Sequence, residues 1–204
     1  MTAVTFTTEE LVGLAPVIPV VVIDELDDAV PLAAALVRGG LPAIEVTLRT
    51  QPALAAIERI AAEVEGAVVG AGTVTTPQQI DDALAAGARF LVSPGATPKL
   101  LDALQGSGVP FLAGTATASD VIALLERGIT HAKFFPAEVN GGVKALKALH
   151  GPFPQMRFCP TGGIDLAKAP DYLALPNVVC VGGSWMTKGH VERLAAEAAA
   201  LPAQ

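Results

Sequence analysis

Residues 67–94 read AVVGAGTVTTPQQIDDALAAGARFLVSP, and the fold is decided by how this stretch is divided. Two aliphatic runs, Ala67–Val74 (AVVGAGTV) and Arg89–Pro94 (RFLVSP), flank an amphipathic segment, Pro77–Ala86. Thr76-Pro77-Gln78-Gln79 is a capping-box-like helix start, and Gly87 is placed to end the same helix as a C′ residue. The stretch is therefore strand, helix, strand. A helical crossover of this kind makes the two strands parallel and the connection right-handed.

The same alternation extends in both directions. Strand candidates upstream are Val17–Ile23 (VIPVVVI) and Ala43–Leu48 (AIEVTL). Downstream they are Val109–Ala116 (VPFLAGTA), His131–Ala137 (HAKFFPA), Met156–Gly163 (MRFCPTGG) and Val178–Trp185 (VVCVGGSW). Helix patterns lie between them at Asp27–Arg38, Pro52–Val64, Ser119–Arg127 and Val143–His150, and Thr7–Leu14 adds a short one before the first strand. Ser119 and Asp120 open their helix and Gly128 closes it. Eight strands, each followed by a helix, predict a (β/α)₈ TIM barrel, with an open doubly wound sheet as the competing arrangement. No linker, charge block or low-complexity stretch interrupts the 204 residues, so one domain over 1–204 is expected.

Composition agrees with that architecture. Half the residues are apolar and only 4% are aromatic, which suits aliphatic strands covered on both faces. The formal net charge is −7, and no cluster of Lys and Arg forms the stripe that nucleic acid binding requires. An anionic substrate must then be held by local groups rather than by the overall field. Met1–Glu10 lacks a signal pattern, and no apolar run is long enough for a membrane span, so a cytoplasmic protein without membrane contact is expected. Cys159 and Cys180 sit in apolar runs and read as buried hydrophobes rather than as a disulfide. With His131, His150 and His190 they form no zinc-type ligand set, and no nucleotide-binding glycine motif follows a strand. Neither a metal nor a cofactor is expected.

The informative residues are charges inside strands. Of six lysines, only Lys133 falls in one, where alternation pairs it with Phe135 on one face and sets Ala132 and Phe134 on the other. Burial of an ammonium among apolar groups favours the free amine, the form that attacks a ketone. A lysine paired with a buried carboxylate, or one reaching to the rim, fits the same spacing. On the second strand Glu45, Thr47 and Arg49 share a face. Glu45 can move protons and Arg49 can hold a carboxylate in its fork, though a Glu45–Arg49 or Glu45–Lys133 ion pair is an alternative. Paired glycines end the last two strands at Thr161-Gly162-Gly163 and Gly182-Gly183-Ser184, where barrels of this class often bind phosphate through backbone N–H groups. Thr73 ends the third strand near where a carboxylate can rest, and Pro94 and Phe135 can wall the site.

Seven segments, in this order, are similar to one known family. They are Glu45–Thr50 (EVTLRT), Val69–Val74 (VGAGTV), Ser93–Gly95 (SPG), Lys133–Glu138 (KFFPAE), Gly141–Leu146 (GGVKAL), Phe158–Ile164 (FCPTGGI) and Gly182–Trp185 (GGSW). The sequence resembles the 2-keto-3-deoxy-6-phosphogluconate (KDPG) aldolases, also called 2-dehydro-3-deoxyphosphogluconate / 4-hydroxy-2-oxoglutarate (KHG) aldolases. The resemblance implies a metal-free barrel, usually a homotrimer, that cleaves a phosphorylated keto acid through a lysine Schiff base. It carries Lys133 over as the Schiff-base lysine and Glu45 as the general acid/base. Arg49 and Thr73 become contacts to the pyruvate carboxylate, with Thr161 and Phe135 nearby, and Gly162, Gly163, Gly183 and Ser184 become the phosphate cradle. One departure is Ala113-Gly114-Thr115-Ala116-Thr117 in place of the family's usual strand-5 motif. Other readings open at this point are an aldolase for the galactonate epimer, a sugar-phosphate isomerase and a non-catalytic barrel that binds a phosphorylated ligand.

Overall fold

The computed structural model describes residues 6–202; residues 1–5 of the segment read for a signal pattern lie outside them. Eight parallel strands form a nearly closed barrel: β1 (Val17–Val21), β2 (Ala43–Thr47), β3 (Val68–Gly72), β4 (Leu91–Val92), β5 (Phe111–Thr115), β6 (His131–Phe134), β7 (Arg157–Pro160) and β8 (Val181–Gly183). Consecutive strands pair in parallel from β1 to β7, and β8 pairs with β1. Bridges Phe158↔Val178 and Thr161↔Gly182 close the ring between the β7 and β8 segments. The TIM barrel expected from the alternation is the fold observed, and the open doubly wound sheet is not.

The helices are α1 (Thr8–Val12), α2 (Ala29–Arg38), α3 (Ala53–Glu63), α4 (Pro77–Ala85), α5 (Pro98–Gly106), α6 (Ala118–Leu125), α7 (Gly142–His150), α8 (Ala169–Leu173) and α9 (Val191–Ala199). Helix α4 begins and ends as its sequence dictates. Thr76 and Gln79 complete a reciprocal capping box. Gly87, at φ +92, lets Gly87 N donate to Leu84 O and Ala88 N to Ala83 O, which satisfies the last carbonyls. The start of α6 differs from the sequence reading. Its N-cap is Thr117, and Asp120 is the residue that reaches back to the cap rather than the opener. Strand β4 is shorter than the run 89–94, although backbone bonds to its neighbours extend on both sides of it, Arg89 N donating to Val69 O at 2.8 Å and Ser93 N to Leu112 O at 3.1 Å. Pro94, which has no N–H, cannot add another.

Alternation divides the buried side chains into two sets. Val17, Ile44, Leu91, Ala113, Phe158 and Val181 face the helices and join the larger core. Their chain neighbours Ile18, Ala43, Val92, Leu112, Cys159 and Cys180 form a smaller cluster with Phe90, Leu11 and Val12, which is the barrel interior. Because Leu11 and Val12 belong to α1, that helix plugs one end of the barrel. Both cysteines are free and buried, as the apolar runs imply. Among the described residues no helix is long and apolar enough to cross a membrane.

Candidate active site

The open end of the barrel is the end where the strands terminate, and the residues singled out from sequence converge there. Lys133 is the third residue of β6, between Gly114 of β5 and Cys159 of β7. Its side chain crosses the interior to β2, where Nζ lies 3.1 Å from Glu45 Oε1 and 3.4 Å from Oε2. Both residues are only 3% exposed. The two charges compensate each other in a place where either alone would be costly. The Phe135 ring lies 5.3 Å from the ammonium, on the strand face that alternation predicts.

Glu45 is aimed by an absence. A Cβ added at Gly72 would lie 2.2 Å from Glu45 Oε1, so the carboxylate occupies the space where the next strand has no side chain. Gly114 serves a backbone in the same way: a Cβ there would meet the Pro94 carbonyl at 2.2 Å. The Gly114 amide donates to the buried Ser93 Oγ at 3.3 Å. Pro94 itself is half-buried.

Arg49 reaches the site by a different route from the one alternation predicts. β2 stops at Thr47, whose hydroxyl donates to Val21 O, and Arg49 lies in the turn beyond it. Its exposed guanidinium is held by Nε donating to Thr73 Oγ1 at 3.0 Å. Thr73 has φ +61, a left-handed conformation strongly disfavoured for a β-branched residue. Strain of this sort persists where the surroundings over-determine it, commonly at binding sites. The Arg49–Thr73 pair projects a fork and a hydroxyl into the mouth, both suited to a carboxylate.

The paired glycines sit side by side across the barrel seam. Thr161 bridges to Gly182, and a Cβ on Gly182 would lie 2.2 Å from Thr161 Oγ1. That hydroxyl is buried without a hydrogen-bond partner. Gly162 (φ +107) and Gly163 (φ +79) form a turn that other residues do not readily adopt. Gly183 backs onto the Trp185 ring, and Ser184 is exposed beside it. Sequence reasoning missed the residues behind this turn, Glu138, Lys168 and Tyr172. Glu138 lies far from Lys168 and Tyr172 in the chain, and no local pattern links it to them. Among the described residues no group of three or more His, Cys, Asp or Glu side chains could hold a metal ion.

Residues 8–198 match the family model "KDPG and KHG aldolase". The chain is 53% identical over 178 residues to the 2-dehydro-3-deoxy-phosphogluconate aldolase of Dickeya dadantii, covering 87% of this chain and 84% of that one. It superimposes with a TM-score of 0.93, at 47% identity and 96% coverage of each chain, on the 2-keto-3-deoxy-6-phosphogluconate aldolase of Zymomonas mobilis with 3-phosphoglycerate. The KDPG aldolase of Legionella pneumophila, with pyruvate captured as a covalent carbinolamine intermediate, gives a TM-score of 0.92 at 46% identity, covering 95% of this chain and 98% of that one. Barrel, mouth and sequence agree, and the chain belongs to the KDPG and KHG aldolase family.

Proposed function

We propose that this chain is a class I aldolase that cleaves 2-dehydro-3-deoxy-6-phosphogluconate to pyruvate and glyceraldehyde 3-phosphate. The observation that carries the reading is the buried amine of Lys133 within 3.1 Å of the buried Glu45 carboxylate, at the mouth of the barrel. Glu45 accepts the ammonium's proton, and the free amine attacks the C2 ketone. Glu45 returns that proton to the carbinolamine hydroxyl, which leaves as water and gives an iminium, an electron sink next to C3; the carboxylate is then free again. Glu45 then takes the proton of the C4 hydroxyl, the C3–C4 bond breaks towards the iminium, and the aldehyde departs. Protonation at C3 and hydrolysis release pyruvate and restore the amine. General acid–base help of this kind contributes about 10²–10⁴-fold.

The other residues divide the substrate between them. Arg49 and Thr73 hold the carboxylate of the pyruvyl half, with Thr161, Phe135 and Pro94 around the reacting carbons. Gly162, Gly163, Gly183 and Ser184 hold the phosphate through backbone N–H groups and one hydroxyl. The ligands named with the Zymomonas and Legionella proteins, a phosphorylated three-carbon acid and covalently captured pyruvate, correspond to these two halves. An unphosphorylated 4-hydroxy-2-oxoglutarate needs only the pyruvyl half and is a second substrate. The chain acts as one domain over 1–204, as a cytoplasmic homotrimer without metal or cofactor; light scattering of the purified protein tests the assembly.

The deciding experiment is pyruvate release from the phosphorylated substrate, together with borohydride reduction in the presence of pyruvate. Pyruvate formation and a label on Lys133 alone are expected. A label on Lys144, or no label with full activity, overturns the mechanism.

A further inference from the structure

Behind the Gly162-Gly163 turn lies a side-chain cluster with no part in the chemistry described so far. Lys168 Nζ donates to Gly163 O at 2.7 Å and pairs with Glu138 Oε2 at 3.3 Å and Asp165 Oδ2 at 3.9 Å. Glu138 Oε1 accepts from the hydroxyl of Tyr172, whose ring is buried in α8. Asp165 Oδ1 accepts from the amides of Ala167 and Lys168, which fixes the backbone from which the lysine extends. The packing is tight on both sides. A Cβ on Gly163 would lie 2.7 Å from Glu138 Cγ, and one on Gly142 would lie 2.8 Å from the Tyr172 hydroxyl.

The effect on the turn follows from peptide geometry. Three successive carbonyls are held from outside: Thr161 O by Ala137 N at 2.8 Å, Gly162 O by Glu138 N at 3.1 Å and Gly163 O by Lys168 Nζ. In a planar trans peptide the N–H points opposite to the preceding C=O. Fixing these carbonyls therefore turns the amides of Gly162, Gly163 and Ile164 away from the cluster. Successive amides presented this way make an anion-binding concavity. Of the three anchors, only that of Gly163 is a side chain. Its charge does little to attract an anion directly, because two carboxylates face the one ammonium.

We propose that Lys168, steadied by Glu138, Tyr172 and Asp165, is a positioning residue that holds the phosphate turn in its binding shape and so sets the preference for phosphorylated over unphosphorylated substrate. The inference rests on the proposed aldolase reading. An exposed ion pair contributes little to stability, so a purely structural role predicts almost no change on removing it.

The test is steady-state kinetics of the wild type, Lys168→Met, Lys168→Arg and Glu138→Gln with 2-dehydro-3-deoxy-6-phosphogluconate and with 4-hydroxy-2-oxoglutarate. Lys168→Met is expected to raise KM for the phosphorylated substrate about tenfold, the loss expected for one charge-assisted hydrogen bond. Its kcat, and both constants for the unphosphorylated substrate, should stay at wild-type values, and Lys168→Arg should restore KM. An equal change for both substrates, or no change for either, overturns the proposal. If Lys168→Met does not fold by circular dichroism, Glu138→Gln decides: a selective rise in KM supports the clamp, and its absence overturns it. A wild type that releases no pyruvate from either substrate sinks the aldolase reading and this one with it, whereas an active wild type with an indifferent Lys168→Met sinks the clamp alone.

Discussion

Lys133 Nζ and Glu45 Oε1 lie 3.1 Å apart across the barrel interior and join two strands 88 residues apart in the chain. The pair is a structural element and, in the proposed mechanism, the reacting centre, and the two roles can be separated by mutation. Lys133→Met should abolish pyruvate release and also leave a carboxylate buried alone, at about 3 kcal/mol of stability near neutral pH. Adding Glu45→Gln should recover most of that stability and none of the activity. Urea unfolding of the four members of the cycle reads the coupling.

Gly72→Ala tests how Glu45 is aimed. The added methyl falls 2.2 Å from Oε1, so the carboxylate must leave its present position beside Lys133. We expect a loss of about 1–3 kcal/mol from overpacking. A fall in kcat of about a hundredfold should accompany it, since general acid–base help is lost. Retained activity in a folded variant would show that the carboxylate's position is not critical.

Thr73→Gly should separate strain from binding. Glycine accepts φ +61 freely, so relief of the left-handed penalty should outweigh its extra chain entropy by about 0.5 kcal/mol. The lost hydroxyl releases Arg49 from its partner, so inhibition by simple 2-keto acids should weaken. A more stable protein with poorer carboxylate binding is the expected outcome of melting and inhibition measurements.

Tyr172 is the sole tyrosine of the chain, so alkaline difference absorbance reports on it alone. Burial, and then the bonded Glu138 carboxylate, push its ionisation well above the ordinary tyrosine value of about 10. Because the folded value is the higher one, its contribution to stability is complete below about pH 10 and is lost as pH rises from there towards the folded value. Glu138→Gln should bring the midpoint down part of the way. A midpoint near 10 in the folded wild type would contradict the buried position.

The barrel and the inward placing of Lys133 and Glu45 were legible because they follow from period-2 alternation. Lys133 and Phe135 share a face, and Glu45 lies on the interior side of β2 with Ala43. Arg49 was legible as a residue but not by that logic, since the strand ends at Thr47 and the guanidinium is placed by a turn and by Thr73. The positive φ of Thr73 leaves no trace in a residue type that avoids it. The Lys168–Glu138–Tyr172 cluster was invisible for a related reason. Its members come from two loops and a short helix, and only the closed barrel brings residues 34 apart into one hydrogen bond.

The glycines of the barrel mouth have a consequence for how this scaffold can change. At positions 72 and 182 the missing methyl is the seat of a neighbouring side chain, Glu45 or Thr161, and at 114 it is the seat of the Pro94 carbonyl. Any step that enlarges one of these glycines evicts its tenant, and any step that shortens Glu45 or Thr161 opens a void. New chemistry in this interior therefore has to arrive by compensated double replacements, while the loops beyond the strand ends remain free to drift one residue at a time.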